Sequence, residues 1–377
     1  MKFLHLADLH LGKRVNGFDM LEDQRFILEQ ILPLCEKHGV EAVVIAGDIY
    51  DTPVPPAAAC TLLDWFLTQL AARRIPVLAV SGNHDSAERL DFASSLLAEQ
   101  NVHIAGRFTG CPKQVVLNDR HGPIEFTLLP FVRAATVRHY LPDADITDYD
   151  SAVGAALAVC EPAAPRRVLV AHQMVVSGVC PPQLSGSETA PLTVGTVDSI
   201  DAARFAGFCY AALGQIRRAQ RVGIDAVRYA GAPLCYHLDE CGMQKSVTLV
   251  RVGKRGVEKI EQLPLTPRRA MRHLTGPLAR LTARPTDTED YIWATLTDPT
   301  PLPDAMAQLR AAYPNAMRLD YLPQGEVAHP LDMTQAVRGK PFVELFQDFF
   351  TKMNGRPLTV EETVAVKRLR EEASKSE

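Results

Sequence analysis

Short apolar, β-branched runs recur along the chain: KFLHLA at its start, EAVVIA (41–46), IPVLAVS (75–81), RRVLVA (166–171) and FCYAALG (208–214). Between them lie segments whose apolar residues fall at helical spacing, such as LEDQRFILEQILPLCEKHG, and this alternation predicts an α/β sheet architecture with helices on its faces. Each run ends in polar residues able to coordinate or catalyse. Because loops converge beyond the carboxyl ends of such strands, the pattern points to one site.

Past residue 264 the pattern changes to a proline- and arginine-rich stretch. Beyond it, DYIWATLTD and AMRLDYLP read as strands flanking the helix DAMAQLRAAYP, a small appended α+β unit. The tail reads as two amphipathic helices, PFVELFQDFFTKMNG and TVEETVAVKRLREEA, the second opening on a capping box from Thr359 to Glu362. These shifts divide the chain into 1–265, 266–328 and 329–377.

Composition narrows the class. The 377 residues carry 47% hydrophobic and 22% charged side chains, ordinary for a folded protein. Eight cysteines without metal-ribbon spacing read as reduced thiols. Polar residues interrupt the first apolar stretch, and His172, Gln173, Pro181 and Pro182 interrupt the longest charge-free one from Val168 to Ser187, so neither a secretion signal nor a membrane span is expected, and a cytoplasmic location follows. A net charge of −4 offers no global attraction to a polyanion, so local patches matter. From Arg251 to Arg284 nine Lys or Arg stand against two Glu. That stretch is either a solvated linker or a phosphate-contacting surface, with Arg268, Arg269 and Arg272 the contacts expected of the second reading. Arg217, Arg218, Arg221 and Arg228 add a second basic group beside the strand-end motifs. Nothing resembles a phosphate-binding P-loop, so any ATP use must come through a partner.

The chemistry lies in four strand-end motifs: Asp8 and His10 in ADLH, Asp48 and Asp51 in GDIYD, Asn83, His84 and Asp85 in GNHD, and His172 in VAH. Mixed carboxylate and imidazole ligands suit divalent ions such as Mn²⁺ or Fe²⁺, and a carboxylate can bridge two of them. Through these residues the chain resembles the calcineurin-like metallophosphoesterases. More narrowly, LHLADLHLGK, VVIAGDIYDTPVPP, LAVSGNHDS, ALGQIRRAQ, VRYAGAPLCYHLDE and the tail LFQDFF..MNGRPLT resemble the SbcD nuclease subunits of bacterial SbcC–SbcD repair complexes.

The resemblance implies a β-sandwich flanked by helices, a capping domain, and C-terminal helices that grip the coiled-coil root of an SbcC-type ATPase. It implies a Mn²⁺-dependent exonuclease and endonuclease acting on DNA ends and hairpins, assembled as two subunits of each kind and regulated by the partner's ATP. Asp8 and His10 would then hold one metal and Asn83 and His172 the other, with Asp48 bridging. His84 would face the scissile phosphate. Asp51 and Asp85 would orient ligands or, on their own terms, cap loops. Phe346, Phe349 and Phe350 would anchor the partner, although the same apolar face could dock on this chain itself.

One motif departs from the family's. Where G-H-x-H belongs, Gly214 is followed by Gln215, Ile216 and Arg217. Gln215 can offer a carbonyl oxygen, but Arg217 has no acceptor and stays charged. The expectation is that Arg217 stands in electrostatically for one metal, leaving one or none, with cleavage weakened or abolished and a DNA-end-binding scaffold as the alternative. His5 and His237 are the other imidazoles that could fill the gap.

Overall fold

The computed structural model describes residues 1–178, 182–184, 199–286 and 288–322, with a few positions of the tail (346, 347, 350, 351, 356–359, 362, 363 and 366). The chain parts into two compact units, 1–320 and 321–377.

Two six-stranded mixed sheets face each other in the first unit. The first contains β1 (Lys2–Leu6), β2 (Ala42–Ala46), β3 (Val77–Val80) and β4 (Val102–Ala105), all parallel. The second contains the hairpin β5 (Lys113–Asp119) and β6 (Gly122–Leu129), then β7 (Arg166–His172), β8 (Tyr210–Gly214), β9 (Gln220–Val222) and β10 (Ile224–Tyr229). The hairpin β11 (Ser246–Gly253) and β12 (Gly256–Pro264) returns to the first sheet and pairs antiparallel with β1. The orders are β12-β11-β1-β2-β3-β4 and β9-β10-β8-β7-β6-β5.

Alternation along the strands explains the layering, because successive side chains point to opposite faces. In β2, Ala42, Val44 and Ala46 enter the layer between the sheets with Phe3, Leu78, Phe126, Val170 and Tyr210. Val43 and Ile45 instead meet Ile27, Leu28, Leu62 and Phe66 of the helices α1 (Leu21–His38) and α2 (Ala57–Ala72). On the far face of the second sheet lie α3 (Ala134–Tyr140) and α4 (Tyr149–Ala158), contributing Val137 and Val153. Strands buried on both faces read as the continuous apolar runs of the sequence.

A third sheet, β13 (Met271–Gly276), β14 (Tyr291–Leu296) and β15 (Ala316–Tyr321), carries α5 (Leu278–Ala283) and α6 (Ala305–Ala312). Its Met271, Tyr291, Trp293 and Met317 join Leu234 and Tyr236 in the same core as α1. The strand β13 occupies sequence that reads as linker, and the chemistry behind it is ionic. Arg269 donates to both oxygens of the buried Asp23 at 3.1 and 2.7 Å, Tyr291 Oη donates to the same carboxylate at 2.8 Å, and Arg268 reaches Glu22 at 3.3 Å.

Those contacts give arginines of the basic stretch partners within the chain. Arg269 is committed to docking this sheet on α1, and Arg272 donates to Thr286 at 3.3 Å beside Asp290 within the same sheet. Arg251 pairs across from Lys2, the residue opening β1, so the basic β11–β12 turn lies at the opposite end of the sandwich from the strand-end motifs. Arg218 donates to Gln183 and Met243, while Arg221 and Arg228 lie against Asp225.

In the tail, both halves of the Thr359–Glu362 capping box are formed. Phe346 and Phe350 are half-buried, and Phe350 lies under the guanidinium of Arg356 at 5.0 Å. Phe349 lies outside the described residues, as do most of 329–377. Among the described residues no helix is long and apolar enough to cross a membrane.

Candidate metal centre

The carboxyl ends of β1, β2, β3, β7 and β8 deliver Asp8, His10, Asp48, Asn83, His84, His172 and Gln215 to one place. Two of the loops run together: the amides of Asp8, His10 and Leu11 donate to the carbonyls of Gly47, Asp48 and Ile49 at 2.9–3.0 Å. Asp8, His10 and Asp48 all adopt the left-handed region, with φ of 53°, 45° and 49°. A non-glycine residue there costs energy, and three together mark backbone held against its preference at the centre.

Asp48 is the shared corner. Its Oδ1 accepts the backbone N–H of His84 at 3.0 Å, which leaves Oδ2 facing Nε2 of His172 at 3.4 Å, of His10 at 3.7 Å and of His84 at 4.0 Å. Two ligand groups result, one of Asp8, Asp48 and His172 and the other of His10, Asp48 and His84. Asp8 thus joins His172 in one group while His84 joins His10 in the other, a different partition from the sequence expectation of Asp8 with His10. Asn83 Oδ1 lies 3.1 Å from His172 Nε2, beside the first group.

Surrounding groups fix the imidazoles. His172 Nδ1 meets the carbonyl of Ala46 at 2.8 Å and His84 Nδ1 that of Asp51 at 2.9 Å, so each ring presents Nε2 to the centre. Asp51 Oδ1 lies 3.3 Å from His10 Nδ1 and accepts from Lys13 Nζ at 2.6 Å. Asp85 accepts backbone N–H bonds from Ile49, Tyr50 and Gly82, which straps two ligand loops to each other. The Asp51 carboxylate therefore orients the His10 ring, and Asp85 ties the loops.

Glycines make the approach possible. A Cβ on Gly82 would overlap the Asp48 carboxylate, and one on Gly214 would overlap the carbonyl of Ala46 and the ring of His172. No other residue fits at either place without moving the ligands.

Burial sets the electrostatics. It disfavours charge on Asp48, yet the three facing imidazoles outweigh it and hold that carboxyl well below its usual range. Burial opposes a proton on His172 too, but Asp48 and Asp8 outweigh it and push the imidazole up. Asp8 is pushed up by its own burial and by Asp48, against the pull of His172 and Arg217. Asp51 drops to about 2 because His10 and Lys13 outweigh its burial. Asp85 rises to about 6 through burial and the charge of Asp48. A group of carboxylate, carboxylate and amide oxygens around one Nε2 is balanced only by positive charge. That donor set fits a divalent cation of the borderline-hard kind.

A buried cation acts on the other group. Arg217 is 7% exposed, and its charge acts on Asp8, His10 and Tyr236. Its carbonyl accepts from Ala232 at 3.0 Å, which pins it in place. Gln215, at φ 113°, gives its backbone N–H to Asp8 Oδ1 at 3.1 Å. Neither substitute histidine is available. His5 is fully buried with its nitrogens on Tyr210 Oη (3.1 Å) and the Leu213 carbonyl (3.2 Å), and His237 pairs with Asp239 and meets Trp293 edge to face.

Three residues that sequence reading passed over support His10. Gln24 donates to the His10 carbonyl at 2.7 Å and to Tyr236 Oη at 3.0 Å, and Tyr236 Oη donates to Leu9 at 2.7 Å. Lys13 holds Asp51. Lys13 and Tyr236 sit inside the motif stretches LHLADLHLGK and VRYAGAPLCYHLDE, which was their one visible signal.

Comparison with known proteins gives two family matches. Residues 1–151 match the calcineurin-like phosphoesterases, and residues 267–354 match the SbcD_C family, described as a type 5 capsule protein repressor C-terminal domain. Similar solved structures include a dimetal phosphatase from Danio rerio, 13% identical over 71% of this chain and 99% of that one with a TM-score of 0.37. Another is the protein TT1561 of Thermus thermophilus, 14% identical over 69% and 98% with a TM-score of 0.36.

Proposed function

We propose, from the match of residues 1–151 to the calcineurin-like phosphoesterases and of residues 267–354 to the SbcD_C family, that the chain is the nuclease subunit of an SbcC–SbcD type complex acting on DNA ends and hairpins. The observation that carries the reading is Asp48, one carboxylate oxygen shared by two ligand groups at the ends of strands from both sheets. Asp8, Asp48, Asn83 and His172 would hold one ion, and His10, Asp48 and His84 surround the second position. Bound divalent metal, Mn²⁺ in this proposal, supplies hydroxide near neutral pH and neutralises phosphate charge.

The chain's own residues do the rest. His84, with its side chain 39% exposed, is the ligand-group member that reaches the opening. Its Nδ1 is held by the Asp51 carbonyl, so Nε2 is placed to meet a phosphate oxygen or protonate the leaving group. Residues 266–328 act as the cap over the centre, and 329–377 serve as the segment that binds an SbcC-type ATPase, through which ATP enters.

Arg217 favours a second reading. Its cation stands where the family carries an imidazole, competes with metal at the His10 group and can pair with Asp8. Cleavage then falls by roughly 1,000-fold or more, since loss of the activated nucleophile and one phosphate clamp removes several kcal/mol. The chain would act mainly as a DNA-end-binding scaffold of the same complex.

The test is Mn²⁺-dependent cleavage of an end-labelled DNA hairpin by the full chain with its ATPase partner and ATP, beside the Gln215→His/Arg217→His variant. Cutting confined to the double variant supports a silenced nuclease. Equal cutting by both removes Arg217 from the account, and cutting by neither removes the nuclease reading.

A further inference from the structure

Two neighbouring residues in the first turn of α1 serve two different parts of the molecule, because successive side chains of a helix point about 100° apart. Asp23 is fully buried, and its carboxylate accepts Arg269, just ahead of β13, at 2.7 Å and the hydroxyl of Tyr291 in β14 at 2.8 Å. Gln24 is buried as well, and its amide is committed to the loop that carries His10. Its Oε1 accepts the N–H of Gly12 at 3.0 Å, while its Nε2 donates to the His10 carbonyl at 2.7 Å and to Tyr236 Oη at 3.0 Å.

The Gln24 amide therefore clasps the backbone from His10 to Gly12 by a carbonyl and an N–H, as a neighbouring strand would. His10 needs the clasp. At φ 45° it lies in the left-handed region, which a residue with a Cβ keeps only where its surroundings over-determine it. Its ring meets Tyr236 edge to face with centroids 5.8 Å apart, and Tyr236 Oη is tied to the Leu9 carbonyl. No side chain caps α1 at Met20, so its first turn takes its position from Asp19, which accepts the Leu21 N–H at 2.9 Å, and from the partners of Asp23 and Gln24. Met20 also donates to the Lys13 carbonyl at 3.1 Å, so a shift of that turn passes into the same loop.

We propose that Asp23 and Gln24 form a relay in which the seating of the third sheet on Asp23 sets the first turn of α1, Gln24 carries that setting to the His10 backbone, and the affinity of the His10 group for a divalent cation follows. Gln24 is a positioning residue, acting on the centre through His10. A displacement of the third sheet would then change metal affinity without touching a ligand. The metal half of the relay rests on the reading of the centre given under the proposed function, whereas the backbone half does not.

The test is hydrogen exchange in the metal-free full chain, read on the peptide that contains Leu9 to Lys13, for three variants. Gln24→Met keeps the length of the side chain but removes its hydrogen bonds, Tyr291→Phe removes one hydroxyl from Asp23, and Val153→Ala, on the far face of the second sheet, reports general loosening. Exchange is expected to rise about 10-fold or more in Gln24→Met and about 5-fold in Tyr291→Phe, as for coupling between separate sites, and to stay unchanged in Val153→Ala. In the Gln215→His/Arg217→His background, Mn²⁺ titration followed by electron paramagnetic resonance should show Gln24→Met weakening one site by about 10–100-fold, the usual worth of a contact that orients a ligand, and Tyr291→Phe weakening the same site less. Unchanged exchange in Tyr291→Phe overturns the relay and leaves Gln24 a local support. An equal rise in Val153→Ala overturns it as general loosening, and faster exchange with unaltered Mn²⁺ affinity overturns the link to metal. Absence of Mn²⁺ binding in every chain overturns the reading of the centre, a separate failure, and the exchange rates still decide the relay.

Discussion

Around Asp48 the centre divides into a closed side and an open side. On the closed side His172 is fully buried, its Nδ1 is committed to the Ala46 carbonyl, and Gly214 lets the two sheets meet over it. On the open side His84 reaches solvent and Arg217 places a fixed cation beside His10. Closure of one side rests on packing that only glycine permits, while the other side rests on charge. The first should therefore fail through stability when altered, and the second through metal affinity and rate.

The largest effect expected is on the open side. Arg217→His alone, which removes the competing cation and supplies an imidazole, should recover most of the gain of the double variant, roughly 1,000-fold in hairpin cleavage. Gln215→His alone should change cleavage by less than about 10-fold, because the Gln215 amide can already offer a carbonyl oxygen there and Arg217 persists. Reversal of that order in a cleavage assay would place the defect on the closed side.

Gly214→Ala breaks the comparison from the other direction. Its new methyl overlaps the Ala46 carbonyl and the His172 ring, so the sheets must part. A loss of at least about 2 kcal/mol is expected in denaturant unfolding without metal. An unchanged midpoint would mean that the closed side is not held by packing.

Much of this division was legible in the sequence. Each ligand directly follows an apolar strand, so the five strands and the convergence of their ends could be read from KFLHLA, EAVVIA, IPVLAVS, RRVLVA and FCYAALG. What stayed hidden depends on partners far along the chain. Arg269 looks like a phosphate contact until Asp23, 246 residues away, is seen to accept it. The grouping of Asp8 with His172 needs β1 and β7 from opposite sheets to meet at their ends, which no local spacing reveals. The strand β13 was missed because its exposed and half-buried alternation, MRHLTG, sits in a proline- and arginine-rich stretch that resembles a linker.

Asp51→Asn probes the open side more gently. The substitution keeps the shape but removes the anion that His10 and Lys13 share. Orienting carboxylates of this kind are worth about 10–100-fold in metal affinity. In the Gln215→His/Arg217→His background, Mn²⁺ titration followed by electron paramagnetic resonance should show one site weakened by that factor and the other unmoved. Equal weakening of both would mean that Asp48 couples them too tightly to be called two sides.

The smallest effect separates burial from charge, using two histidines that are both fully buried. His172 faces carboxylates and is pushed up, whereas His5 faces Tyr210 and a carbonyl, and burial, with the Arg228 charge adding to it, pulls it down to about 3. Between that value and the ordinary 6.5 the unfolded chain takes up a proton at His5 that the folded chain refuses. Its contribution is therefore complete above pH 6.5 and is lost as the pH falls below it, by up to about 1.4 kcal/mol per unit. His5→Gln should cost about 1 kcal/mol at pH 8 through the lost packing on Tyr210, yet narrow its deficit on acidification, because glutamine has no proton to gain. Unfolding midpoints of the two proteins from pH 8 to pH 5 should converge. Parallel curves would mean that His5 is protonated in the fold, and that burial between the sheets does not by itself keep an imidazole neutral without the carboxylates that charge His172.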